Sequence, residues 1–479
     1  MVKLNRRQFV ILGAAGLGTV LVGDRLHRGT SSKTVTSAPI YKSSDGLLEL
    51  NLEAKESLIN LGEKQAYLLT YNGQIPAPRL EVKSGNKVRI HFTNNLEQPT
   101  NIHYHGLHIP ITENADNVFL HIKPGEKLTY EFQIPNNHPS GTFWYHPHLH
   151  GLVAEQLFGG LAGLFIVRGE IDEIPEIQAA QEEFLVLQDF ALDTEGRLLD
   201  SGHMSLMMGR EGNIITVNGL ANPSINLPAG GLLRLRILNA SPSRFYRLAL
   251  EDHAFYHIAT DGHSLNEPIE MAEILLTPGQ RADVLVQGDK ESGQYSLVNL
   301  PYDRGSMGMM GGGMMDRDNS DESTILATVN YTSAIESLAL PTQLTTAISA
   351  LPEPLTVRRF ELNHGMNPTV GMAFLINGQP YSSDRTDTQV KLNTVEDWEI
   401  TNTGVMDHPF HIHGNAFQVI TRNGQPESLL AWRDTVLVKR GETVRIRILF
   451  SDFAGKTVYH CHVLDHEDLG MMGNLAIEV

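Results

Sequence analysis

Ten of the chain's 21 histidines fall in four short windows. These are His103-Tyr104-His105-Gly106, His146-Pro147-His148, His408-Pro409-Phe410-His411-Ile412-His413-Gly414, and His460-Cys461-His462 followed by His466. On a strand, side chains at i and i+2 share a face, with backbones roughly 6.6 Å apart. The pairs His103/His105, His146/His148, His411/His413 and His460/His462 therefore offer eight imidazoles. One His-x-His is more often structural than not, but four pairs in mirrored positions mark a metal site. A single ion seldom takes more than three or four protein ligands, so eight imidazoles suit a cluster of ions.

Cys461 is the single cysteine and cannot close an internal bridge. Set between His460 and His462 on a strand, its sulfur points to the face opposite the imidazoles. With His408 and His466 it completes the His₂Cys donor set of a blue-copper site. The axial position of such a site takes a weak thioether, which Met471 supplies, with Met472 as its confusable neighbour. Zinc competes for Cys and His, but it has no redox role and would not need a sulfur wired to a cluster. The chemistry expected is electron transfer.

The elements that must hold these residues recur in the chain. Asn72-Gly73, Asn218-Gly219 and Asn377-Gly378 each open a unit with a turn signal. Each unit runs into an alternating strand that ends in Asn: Lys87 to Asn94, Leu233 to Asn239 and Trp398 to Asn402. Such alternation reads as a half-buried strand. Later turns also correspond, at Pro124-Gly125-Glu126, Pro278-Gly279-Gln280 and Arg440-Gly441-Glu442. A period of about 150 residues means repeated domains, not a solenoid. Short strands parted by Gly and Pro predict an all-β chain of three Greek-key β-sandwiches, near 45–170, 178–333 and 353–479. A Pro-bearing linker, 338–354, precedes the last. The first and last units hold the histidine windows and the middle has none, so the site is expected between units one and three.

Bulk properties agree. A chain of 479 residues with 41% hydrophobic and 19% charged residues is globular and exceeds one core. A formal charge of −18 repels phosphate backbones, so no nucleic-acid partner is expected. Residues 1–44 read as an export signal and linker: Arg6-Arg7 precedes an apolar run, Val10 to Gly23, too short for an ordinary membrane-spanning helix. The segment resembles a twin-arginine signal, which implies export machinery for folded proteins and a periplasmic or otherwise extracytoplasmic location. An uncleaved signal acting as an anchor is the alternative. Residues 305–315 hold five of the 15 methionines among glycines and are expected to form a mobile loop. A smaller group, His203, Met204, Met207 and Met208, precedes it.

The patterns His-x-His-Gly, His-x-His, His-Pro-x-His-x-His-Gly and His-Cys-His-x₃-His-x₄-Met resemble the four signature motifs of the multicopper oxidases, and no ligand position is missing. The resemblance covers essentially everything after the signal and implies three cupredoxin-like domains with four copper ions. It implies a type 1 copper on His408, Cys461, His466 and Met471, and type 2 ligands at His103 and His411. One type 3 copper would take His105, His146 and His462, the other His148, His413 and His460. Glu467 and Asp116 match the family's acids near the cluster and the oxygen pocket. Reduction of dioxygen to water needs protons, which gives such acids a reason to exist. Substrate electrons would enter through an exposed edge of His408 or His466.

The reductant is expected to be Cu(I), in copper detoxification, or a phenolic or aromatic compound. Thioethers favour Cu(I), which draws in the Met-rich stretch and Met406; manganous or ferrous ions are further candidates. A non-catalytic cupredoxin-repeat envelope protein is the alternative from another class. A copper nitrite reductase lacks the eight-imidazole set. Trp432-Arg433-Asp434-Thr435 resembles a family segment and reads as packing and hydrogen bonding. His91, His108, His253, His257, His263 and His364 read as structural or surface residues.

Overall fold

A computed structural model describes residues 38–62, 64–306, 322–345, 347–367 and 371–479. Of residues 1–44, expected to be an export signal and linker, 1–37 lie outside the described residues, as does all of the Met-rich stretch but Gly305 and Ser306. Among the described residues no helix is long and apolar enough to cross a membrane.

The chain is built mainly of strands, and the described strands form six sheets, two in each third of the chain. In the first third a five-stranded sheet ends on Gly141–His146 and His103–His105, and a four-stranded sheet is centred on Leu47–Leu61 and Lys87–Asn94. The middle third pairs sheets of six and five strands. In the last third a seven-stranded sheet accompanies a five-stranded one that contains Gly455–Cys461, His408–Ile412 and Thr435–Val438. Each third has its own apolar core, with Ile90, Phe92 and Tyr130 in the first, Leu235, Val284 and Leu297 in the middle, and Phe360, Trp398 and Ile446 in the last.

The recurring asparagines have recurring jobs. Asn72, Asn218 and Asn377 adopt φ of 56°, 54° and 53°, the left-handed conformation that Asn tolerates. Each side-chain oxygen accepts the backbone N–H of a neighbouring strand, from Glu53, Val186 and Glu361. The strand-ending Asn94, Asn239 and Asn402 are fully buried. Their amides donate to carbonyls of the crossing turn: Ile122, Leu276, and Met406 with Val438. Their backbone carbonyls accept the N–H of Gly125, Gly279 and Gly441. Each Asn thus closes the polar groups where a strand leaves its sheet.

One strand departs from the half-buried expectation. Leu232–Asn239 is buried on both faces. Its polar face, Arg234 and Arg236, is covered by the first third, where Arg236 bonds the Thr142 hydroxyl and Thr142 bonds Asp283. Asp172, Glu182 and Asp283 pair the two guanidinium groups. Buried cations persist only with such partners.

Candidate metal centre

Register brings the histidines together. His103 stands opposite His146 between two strands of the first third, and His411 opposite His460 between two strands of the last. Cross-strand partners share a face, so each pairing adds a second imidazole to the first. Of the four His-x-His pairs, His103/His105 lies wholly within a strand; His148, His413 and His462 follow just after their strands end. The two faces meet across the seam between the first and last thirds. The rings of His103 and His413 stack at 3.7 Å, and those of His105 and His411 at 3.8 Å.

All eight imidazoles are buried. Three sets have ligand nitrogens within 4.8 Å of one another: His103, His105 and His411; His105, His146 and His462; and His148, His413 and His460. In the last set, Nε2 of His460 lies 3.1 Å from that of His148 and 3.0 Å from that of His413. Nε2 of His103, His146, His411 and His462 and Nδ1 of His105 have no hydrogen-bond partner. Unpaired buried nitrogens are costly unless something binds them, and converging imidazole nitrogens are a donor set for copper or zinc. Burial, reinforced by neighbouring histidines, holds these rings well below the ordinary imidazole range, and His148 falls to about 3. They are neutral at pH 7, as ligation requires.

The sulfur side forms a second set. Cys461 Sγ lies 3.4 Å from His408 Nδ1 and 3.9 Å from His466 Nδ1, and the two nitrogens are 3.3 Å apart. Burial pushes the thiol up, so only a bound cation would make it a thiolate here. The helix Leu464–Asp468 turns the chain back so that Met471 donates its N–H to His466 O and accepts that of Cys461. Met471 packs in the core cluster that holds Cys461, whereas Met472 packs with Val118 and Val458. The soft S-donor set fits copper better than a harder ion.

An exposed ligand edge was expected and is not found: His408 and His466 are both 0% exposed. Phe374 stacks on His466 at 3.8 Å. Gly404 fills the gap between His408 and His364, since a Cβ there would lie 3.6 Å from a nitrogen of each. His364 is half-buried.

Asp116 lies at the cluster, and Glu467 lies beside His150. Asp116 Oδ1 accepts from His103 Nδ1 at 2.8 Å and from the Tyr104 N–H at 2.9 Å. Burial raises Asp116 to about 8, so its unpartnered Oδ2 carries a proton at neutral pH. Glu467 is buried and held well above the usual carboxylate range by burial and then by Asp465. Its Oε1 meets His150 Nδ1 at 3.2 Å, and its Oε2 is unpartnered.

Sequence reasoning missed His150, although it extends His146-x-His148 by one more step. It also placed Asp434 away from the chemistry. Asp434 Oδ1 accepts from His105 Nε2 at 3.0 Å, and the backbone oxygen of Asp434 accepts from His411 Nδ1 at 2.7 Å. The partner of Asp434 in the middle third, Arg281, carried no motif at all.

A buried nest of imidazoles wired to a cysteine, held between repeated β-sandwiches, defines an all-β metalloprotein of the cupredoxin-repeat class. Family profiles described as "Multicopper oxidase" match residues 53–171, 185–332 and 351–479. "Multicopper oxidase mco" of Staphylococcus haemolyticus is 30% identical over 448 residues, covering 91% of this chain and 90% of that protein. "Cell division protein FtsP" of Proteus mirabilis is 27% identical and covers 99% of each. Among solved structures, "Multicopper oxidase from Campylobacter jejuni: a metallo-oxidase" matches with a TM-score of 0.84 and 33% identity, covering 94% of this chain and 96% of that one. The chain belongs to the multicopper oxidase family.

Proposed function

We propose that this chain takes single electrons from a reduced donor and delivers four of them to dioxygen, forming water, and that its donor is Cu(I). His408, Cys461, His466 and Met471 would hold one copper ion. His103 and His411 would hold a second, and the remaining six cluster imidazoles a coupled pair. Copper in those places would supply one-electron transfer and the reduction of dioxygen.

The chain's own part is placement, exclusion and proton storage. His460 and His462 adjoin Cys461 directly, so the sulfur set and the imidazole cluster are joined by single peptide steps. Burial of all eleven Cys and His ligand side chains keeps bulk water and partly reduced oxygen apart. Asp116, raised to about 8, and Glu467, pushed well above the usual carboxylate range by burial, are suited to supplying protons as oxygen is reduced.

Support for a metal ion over a bulky organic donor comes from the covering of the sulfur set. Among the described residues, three cavities of about 220 to 490 Å³ include none of His408, Cys461 and His466 in their walls. Thioethers adjoin the core around Cys461 instead: Met207 packs in it, Met372 packs against it, and Gly305, where the Met-rich stretch begins, bridges to Met406, two residues before His408. Likeness to the Campylobacter jejuni protein, which is described as a metallo-oxidase, points the same way. A non-catalytic envelope role leaves the assembled ligand sets without a use; the Proteus mirabilis relative is named for cell division.

Copper-loaded protein should turn over cuprous ion faster than a phenol, and Cys461→Ser should abolish the intense visible thiolate band along with oxygen consumption. Replacing the five methionines of residues 305–315 by serine should lower cuprous turnover and spare phenol turnover. Equal loss of both, or no loss of either, would remove Cu(I) as the donor.

A further inference from the structure

The middle third contributes no histidine to the cluster, yet its turn Gly279-Gln280-Arg281 touches the cluster's supports, beside Asp261, which accepts from the backbone N–H groups of Asp434 and Thr435. Gly279 has φ 84°, and a Cβ there would lie 2.8–2.9 Å from three ring atoms of His462. Gln280 Nε2 donates to Thr435 O at 3.2 Å. Arg281 is buried and spends its donors on all three thirds of the chain. Nε donates to Thr142 O at 3.1 Å in the first, and Nη1 to Gly279 O at 3.0 Å in the middle. Nη1 and Nη2 grip the two oxygens of Asp434 in the last, at 3.0 and 2.6 Å. Gly106 makes room for this pair, because a Cβ there would lie 2.5 Å from both Arg281 Nη2 and Asp434 Oδ2.

The ring orientations around the cluster show what the pair does. His103, His146, His411 and His460 each engage a protein acceptor through Nδ1 and turn Nε2 inward. His105 is reversed, with Nε2 engaged and Nδ1 unpartnered. The group that engages it is Asp434, the carboxylate clamped by Arg281. A carboxylate so clamped can only accept, so His105 must carry its proton on Nε2 and present Nδ1 to the cluster. The same residue's carbonyl accepts from His411 Nδ1 and fixes the opposite tautomer there.

We propose that the turn 279–281 is a positioning template: through Asp434 it sets the tautomers of His105 and His411, and through Gly279 it sets the plane of His462. Arg281, Asp434 and Gly279 are positioning residues, acting on rings supplied by the other two thirds. A guanidinium fork suits this work because it fixes both oxygens of the carboxylate, which a lysine cannot do. The consequence for copper affinity rests on the functional reading above; the tautomers do not.

The test has two arms. In the full-length chain freed of metal, with ¹⁵N-labelled histidine, nitrogen shifts should report His105 as Nε2–H and His411 as Nδ1–H. In the copper-loaded chain, Asp434→Asn and Gly279→Ala should weaken cluster copper against a competing chelator by roughly 10–100-fold. The visible band of the Cys461 set should persist unchanged. His105 found as Nδ1–H, or cluster affinity and cluster spectra unchanged in both variants, would overturn the proposal. If the variants fail to fold, the wild-type nitrogen shifts decide it. If the wild-type chain binds no copper, the oxidase reading fails while the tautomer result still stands.

Discussion

Asp116 shows how a single side chain links site chemistry to stability. Burial raises it from 3.8 to about 8, so between those values the folded chain holds a proton that the unfolded chain has released. The unfolded state binds fewer protons in that window, and stability contributed through Asp116 therefore falls as pH rises, by about 1.4 kcal/mol per pH unit at most. Asp116→Asn keeps an acceptor for His103 and Tyr104 and removes the titration. In metal-free protein, urea midpoints of the variant should gain on wild type between pH 5 and pH 8 (a window set by the shift), and match it near pH 4. The buried histidines act in the opposite sense below their ordinary value, but they are common to both proteins and cancel in the difference. A constant difference across the range would place Asp116 in its ionised form throughout. The ligand types were legible at this scale because His-x-His and His-Cys-His carry their chemistry in adjacent letters. The partners Asp434 and His105 stand 329 positions apart, and no local pattern announces a contact at that separation.

Elements explain why the motifs could be read and where the reading stopped. Alternation gave strands, and Asn-Gly gave turns, because both are set by local backbone preferences. Register was hidden, and register is what sets His103 against His146 and His411 against His460. The strand Leu232–Asn239 looked half-buried because its arginines are polar; only the packed neighbour that pairs them buries it. The three strand-ending asparagines allow a controlled test. Asn402→Ala strips partners from the carbonyls of Met406 and Val438 and from the Gly404 N–H, in the loop that delivers His408. Asn239→Ala does the same to Arg244, Leu276 and Ser241, in the third without histidine windows. Each should cost about 2–4 kcal/mol in chemical denaturation. Asn402→Ala alone should also shift or weaken the visible band of the copper-loaded protein. A band equally perturbed by both variants would show that the loop does not set ligand geometry independently.

At the scale of the whole molecule, the formal charge of −18 bears on which donor is oxidised. Two arginines of the segments flanking His408 are already paired: Arg304 with Glu211 at 2.9 Å, and Arg440 with Asp303 at 3.0 Å. The long-range field felt by an incoming donor is therefore that of the acidic surface, which draws cations inward and leaves a neutral phenol indifferent. Screening shortens that field, to a Debye length of about 10 Å at 0.1 M salt. For a cationic cuprous complex, kcat/KM should fall roughly tenfold or more as a non-coordinating salt is raised from millimolar to molar strength, while kcat holds. For a neutral phenol both constants should stay level. Encounter is the step that charge governs, and kcat begins after encounter, so a fall confined to kcat would implicate the ligand sets themselves. Cuprous turnover indifferent to salt would mean that the donor reaches the His408 side without help from the molecular field, and the acidic surface would then have no part in choosing it.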